Sequence, residues 1–236
     1  MRTNPVQGQT QMELTREVIK SYEPAKARAL FKRFRKNGTW QCPTLVVLHA
    51  IAHLDDPAFR NDPRLAYLPR DVTAYWNPTN DFRFKACTHD DWEACRLRFA
   101  KQCELVGRMA RAGVGILAGT DTPNPYAFPG FGIHDELALL VKCGLTPRQA
   151  LQAATINPAR YFGWEQKMGT VEVGKAADLV LLDANPLEDI HNTTRIAAVF
   201  VRGRYLDRAM LDQMLKHKSD SAALPSHQLR GLDPGD

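Results

Sequence analysis

The segment Gly113–Asp121, reading GVGILAGTD, constrains this chain more than any other. It is apolar from Val114 to Ala118 apart from one glycine and then stops on the polar pair Thr120–Asp121. It is far shorter than the roughly 18 residues of a membrane-spanning helix. A short apolar run without polar alternation fits a strand buried on both faces, the habit of parallel sheets. Parallel strands require crossover helices, and the flanking sequence offers them. Asp90 to Ala112 has a helical period through Trp92, Cys95, Phe99, Cys103, Val106 and Ala110. Thr88 or His89 stands at its start, and Gly113 is its stop. Ile133 to Cys143 and Thr146 to Ala154 follow as short helices, the second with Thr at the N-cap and Pro147 in the first turn. A further turn covers Pro158 to Phe162.

Upstream, Met12 to Asn37 reads as helix, ended or kinked at Pro24, with Asn37–Gly38 as a stop. Thr39 to Leu48 then predicts a second buried strand, with Pro43 placed where no N–H is needed. From about 49 to 89 the pattern dissolves into Pro, Asp, Asn and aromatics, which predicts a partly helical inserted loop. After Met168 the crossover helices cease. Gly169–Val173, Ala177–Asp183, Ile196–Val201 and Arg204–Leu206 read as short strands of a small β appendage over 168–208. Lys175 and Asp178 lie in a turn feeding one of them and are expected to be structural. Residues 209–236 form a tail, with a helix over Leu211–Lys216 and a frayed end from Ser219.

Composition narrows the class of function. The 236 residues are 44% hydrophobic and 24% charged, values of a soluble globular chain. The start MRTNPVQGQTQ lacks the apolar core of a signal peptide, so the expectation is a cytoplasmic protein without a membrane partner. A formal charge of +5 raises the question of nucleic acid. The cations between Arg16 and Lys36, however, alternate with apolar residues at helical spacing, as on a solvated helix face, so no nucleic-acid partner is expected. Five cysteines without a CxxC pair suggest neither a disulfide framework nor a structural zinc site.

Asp121 is the leading catalytic candidate. In a barrel of parallel strands, a carboxylate at a strand's C-terminal end projects into the mouth where catalytic groups gather. The competing reading is an Asx turn opening the loop Thr122–Pro123. His134 stands at the opening of a helix after a Gly/Pro-rich loop and is the candidate substrate-binding residue. Asp135 and Glu136 in the same first turn are accounted for by the helix dipole. His49 and His53 have i, i+4 spacing, but HAIAH lacks the glutamate of HExxH, so a metal site there is the minority reading. No P-loop, GxGxxG or Ser nucleophile elbow occurs.

Four pieces in order carry a resemblance: GILAGTDTP at 115–123, HDEL at 134–137 with GLTP at 144–147, ALQAATINPAR at 150–160, and GTVEVGKAADLVLLDANPL at 169–187. Together they resemble the C-terminal half of the metal-dependent amidohydrolase superfamily, in its imidazolonepropionase-like and prolidase-like branch. NGTWQCPTL at 37–45 is similar to the seventh barrel strand of that branch. The resemblance implies an α/β fold, the C-terminal part of a (β/α)8 TIM-like barrel over 1–167 with strands 7 and 8, then part of a β-sandwich. It implies a hydrolase of amide, lactam or peptide-like carbon–nitrogen bonds in a small-molecule substrate. It also implies a divalent metal, zinc first, in the complete enzyme, with Asp121 as metal ligand and proton acceptor. The family's His-x-His pair and its later ligands have no counterpart here. The chain therefore reads as a C-terminal piece expected to hold no metal tightly and to be inactive alone. Its expected partners are an N-terminal half-barrel chain or further copies of itself, and the alternative is a non-catalytic chain, either a remnant or a subunit that completes a barrel with another polypeptide.

Overall fold

The computed structural model describes residues 10–222. Two helices open it, α1 (Gln11–Lys20) and α2 (Pro24–Lys36), so that of the two readings at Pro24 the helix is ended before it rather than kinked. Pro24 cannot donate a hydrogen bond in a helix interior, and it starts α2 at its first turn instead. Thr10 and Glu13 close a capping box at the other entry.

The two expected parallel strands shrink to a single parallel bridge, Gln41 against Ile116. Gln41 N–H donates to the Gly115 carbonyl at 2.9 Å and Leu117 N–H to the Gln41 carbonyl at 2.8 Å. A parallel ladder is stable when neighbouring strands and helices cover it, and among the described residues these segments have only each other in register. Leu45–Ala52 is helix α3 rather than the continuation of a strand, a correction to the reading of 39–48. A short, wholly apolar run suits a buried helix as well as a buried strand.

The stretch that follows carries α4 (Pro57–Arg60), a 3₁₀ turn (Pro63–Tyr67) and α5 (Arg70–Trp76). Asp56 and Asp62 cap the first two with their side chains. An aromatic core of Trp76, Trp92, Tyr126 and Phe128 with Leu54 fastens them to the body. Helix α6 (His89–Arg111) begins in a capping box of Thr88 and Asp91. It runs beside α7 (Gly132–Lys142), and α8 (Pro147–Ala154) and α9 (Ile156–Tyr161) follow. The main core gathers Leu45, Val46, Val106, Ile116, Leu137 and Leu140 between these helices. A disulfide joins Cys103 of α6 to Cys143 at the end of α7, which corrects the expectation of unpaired thiols. The spacing of 40 residues carries no motif, so only the packing of the two helices brings the sulfurs together.

The appendage is an antiparallel three-stranded sheet in the order β1 (Leu179–Leu182), β2 (Ile196–Val201), β3 (Arg204–Asp207). Gly169–Val173 is not a strand: Val171 and Val173 stand in solvent with no ladder beside them. Asp178 accepts the N–H of Arg202, in the turn between β2 and β3, at 2.6 Å, and Lys175 meets Glu172 within its own turn at 3.2 Å. Helix α10 (Arg208–Ala222) closes the described chain, longer than the 211–216 helix predicted, and the tail beyond 222 lies outside the described residues.

Candidate active site

The ends of the two bridged segments form the site's floor. They approach closely because Gly115 and Gly119 lack side chains. A Cβ on Gly115 would stand 2.3 Å from the Trp40 ring, and one on Gly119 2.4 Å from Cys42 Sγ. Just beyond, each segment turns through left-handed backbone, Thr44 at φ 46° and Asp121 at φ 48°. That conformation is costly for a β-branched residue and persists only where the surroundings enforce it. Asn157 Nδ2 donates to the Ile116 carbonyl at 2.9 Å and Ala118 N–H to the Ala153 carbonyl at 2.8 Å, pinning the second segment from α8 and α9.

Asp121 is exposed at this end. Its loop is closed by its backbone carbonyl, which accepts from Asn124 Nδ2 at 2.8 Å and from Asn124 N–H at 3.3 Å. The Asx-turn alternative fails for a simple reason. The residue two positions on is Pro123, which has no N–H to donate. Among the described residues the Asp121 carboxylate makes no hydrogen bond or ion pair, so it is free to take a proton or bind a ligand.

His134 lies in the first turn of α7 and is partly buried. Its Nδ1 is 3.0 Å from Thr193 Oγ1, and burial lowers its pKa against the opposing pull of Asp135. It lines a cavity of about 730 Å³ together with His49, Phe59, Tyr126 and Ile190. One wall carries an ion-pair cluster in which Arg64 bonds Asp62 at 2.7 Å and Asp135 at 2.6 Å. Asp121 lines none of the three cavities that His134 lines, so the two sequence candidates are not brought into one pocket.

His49 in α3 and His53 at its C-cap stand with ring centroids 4.4 Å apart. His53 Nδ1 is 2.8 Å from the His49 carbonyl. Burial, helped by the charges of His53 and Lys142, pushes the His49 pKa down to about 4 and keeps its imidazole neutral. Among the described residues no three His, Cys, Asp or Glu side chains group so as to hold a metal ion. A catalytic zinc takes three protein ligands, so these side chains alone do not fit a resident metal.

Glu136 is the group that sequence reasoning missed. It is fully buried, and its Oε2 accepts the Val46 N–H at 2.7 Å. Burial raises its pKa to about 7, against the backbone donors of Val46 and Leu45 that favour the charge. The sequence carries no signal for it: Thr44, directly before the apolar run, is an ordinary N-cap residue, and only the structure shows that its hydroxyl makes no capping bond.

The amidohydrolase family model matches residues 24–206. A 5-methylthioadenosine/S-adenosylhomocysteine deaminase of Caldanaerobacter subterraneus subsp. tengcongensis is 28% identical over 180 residues, 73% of this chain and 36% of the relative. The imidazolonepropionase of Symbiobacterium thermophilum is 41% identical over 76 residues, 32% of this chain and 18% of the relative. Among solved structures, bottromycin amidohydrolase superposes with a TM-score of 0.63 at 25% identity, over 79% of this chain and 41% of that one. The chain thus spans well under half the length of each of these proteins. Matched by the family model across most of its length, the chain belongs to the amidohydrolase family.

Proposed function

We propose that this chain supplies the C-terminal part of a hydrolase that cleaves carbon–nitrogen bonds in small amide-type substrates, with Asp121 as its proton-transferring carboxylate. The observation that carries the reading is the free Asp121 carboxylate on left-handed backbone at the end of a parallel-bridged segment, inside a chain of this family. A carboxylate there can accept the proton of an attacking water and deliver it to the leaving nitrogen, as general acid–base catalysis requires. His134 is the proposed substrate-side contact: anchored through Nδ1 and kept neutral, it can offer its other nitrogen to a ligand. The divalent metal of such an enzyme, zinc in our reading, would need ligands beyond those in this chain. The isolated chain is accordingly proposed to be inactive and to work with a polypeptide carrying the remaining barrel.

The test is reconstitution. The polypeptide encoded immediately upstream is inspected for an HxH pair, joined to or co-expressed with this chain, and assayed on cyclic and linear amides. Turnover by the assembly and none by either part supports the proposal. Turnover by the isolated chain, or an HxH-bearing assembly that folds and hydrolyses nothing, overturns it, the latter in favour of a non-catalytic remnant.

A further inference from the structure

Helix α3 starts without a cap of its own. Thr44 sits at its N-cap in left-handed backbone, and the Thr44 hydroxyl makes no capping hydrogen bond. The first N–H groups of a helix have no partner within it, and here they lie in the core beside Leu45 and Val46. Glu136 reaches them from another helix, 90 residues away in sequence, through its Oε2. The same turn of α7 touches the other segment. Gly132 lies against Thr120, where an added Cβ would stand 3.4 Å from Thr120 Cγ2, and Thr120 directly precedes Asp121. The two segment ends also touch each other through Gly119 and Cys42. One helical turn therefore holds both ends of the site's floor, and Glu136 is its polar fastening. The choice of residue is unusual on grounds of stability, because Glu136 Oε1 is buried without a hydrogen-bond partner among the described residues. Such a group is retained more readily for the geometry it imposes than for the energy it contributes.

We propose that Glu136 is a positioning residue: by capping α3 from α7 it fixes the turn at Thr44 and, through the Cys42–Gly119 contact, the placement of Asp121. This rests on the reading of Asp121 as the reacting carboxylate. It goes beyond that reading by assigning the group that sets the carboxylate's position.

Three variants test it: Glu136→Gln, which keeps an acceptor oxygen at the same reach; Glu136→Asp, which withdraws it by one methylene; and Glu136→Leu. In the purified chain, amide hydrogen exchange is followed in peptides covering 42–48 and 117–123. The Asp and Leu variants are expected to exchange faster by at least about tenfold in both segments, with Gln close to wild type. In the assembled hydrolase, kcat of the Asp variant should fall by about tenfold or more at nearly unchanged KM, as for a misplaced catalytic group, and Gln should restore it. Faster exchange at 42–48 alone, or failure of Gln to restore protection, overturns the proposal. Should the Leu variant not fold, the Asp and Gln pair still decides. An assembly without wild-type turnover would sink the reading of Asp121, while the exchange comparison would still judge the positioning role.

Discussion

Two titratable side chains, the buried Glu136 and the half-buried His49, pull stability in opposite directions with pH. Glu136 has a folded pKa of about 7, above its ordinary 4.5, so the folded state binds the extra proton between those values. Its contribution is fully present below about pH 4.5 and is lost as pH rises through 7. His49 has a folded pKa of about 4, below its ordinary 6.5, and is neutral in the fold. Its contribution is present above pH 6.5 and is lost as pH falls towards 4. In the wild type the two slopes largely cancel between about pH 4.5 and 6.5. Glu136→Gln should therefore make stability rise with pH across that window, and His49→Gln should make it fall. Each slope should amount to roughly 1–3 kcal/mol over the window. Urea melts of the chain at half-unit pH steps check both signs, and parallel curves for the two variants would contradict the assignment. Asp121 was legible in the sequence as a candidate, a carboxylate closing an apolar run, with an Asx turn left open beside it. Glu136 was not, because its partner lies 90 residues away and its own turn of helix explains an acidic residue equally well.

At the scale of elements, capped helices were the legible part and bridged strands were not. Thr88 with Asp91 and Thr146 with Gln149 both form the capping boxes their spacing suggests, since a cap is a local event. Replacing Thr88 by Ala should cost about 1 kcal/mol by thermal or chemical melting, with no change at the site. The segments 39–48 and 113–121 have the composition of buried parallel strands, but a strand is made by its neighbours, and only Gln41 and Ile116 find each other. The disulfide was hidden for the same reason, because it reports the packing of α6 on α7. That packing gives a sharper prediction. Gly107 lies within α6, where Ala would ordinarily improve helix stability by about 1 kcal/mol. Here a Cβ would stand 2.1 Å from the Cys143 carbonyl oxygen, a backbone atom that cannot swing aside. Gly107→Ala should therefore destabilise by about 1–3 kcal/mol, as overpacked sites do. A more stable variant would show that α6 and α7 sit farther apart.

For the whole molecule, what matters is how much of an active centre one chain of this family brings. It brings a carboxylate on left-handed backbone, a helix that touches both bridged segments, and a half-buried histidine beside a sizeable cavity. It does not bring three grouped metal ligands among its described residues. Metal analysis of the chain after dialysis against a weak chelator should therefore find well under one zinc per molecule, since a catalytic site takes three protein ligands. Stoichiometric zinc would show that His49, His53 or His134 had been misjudged. Apolar side chains, among them Trp164, Val173, Val180 and Leu181, are exposed, and in the assembly we propose a partner would cover part of this surface. The measurement that bears most directly on the account is the turnover of the assembled hydrolase carrying Asp121→Asn, read beside its melting curve. Asparagine preserves the size and the loop, whose closing bonds come from the backbone carbonyl of residue 121, but it cannot accept a proton. The account predicts a loss of at least about 10²-fold in kcat at an unchanged melting temperature, and near-normal turnover would contradict it.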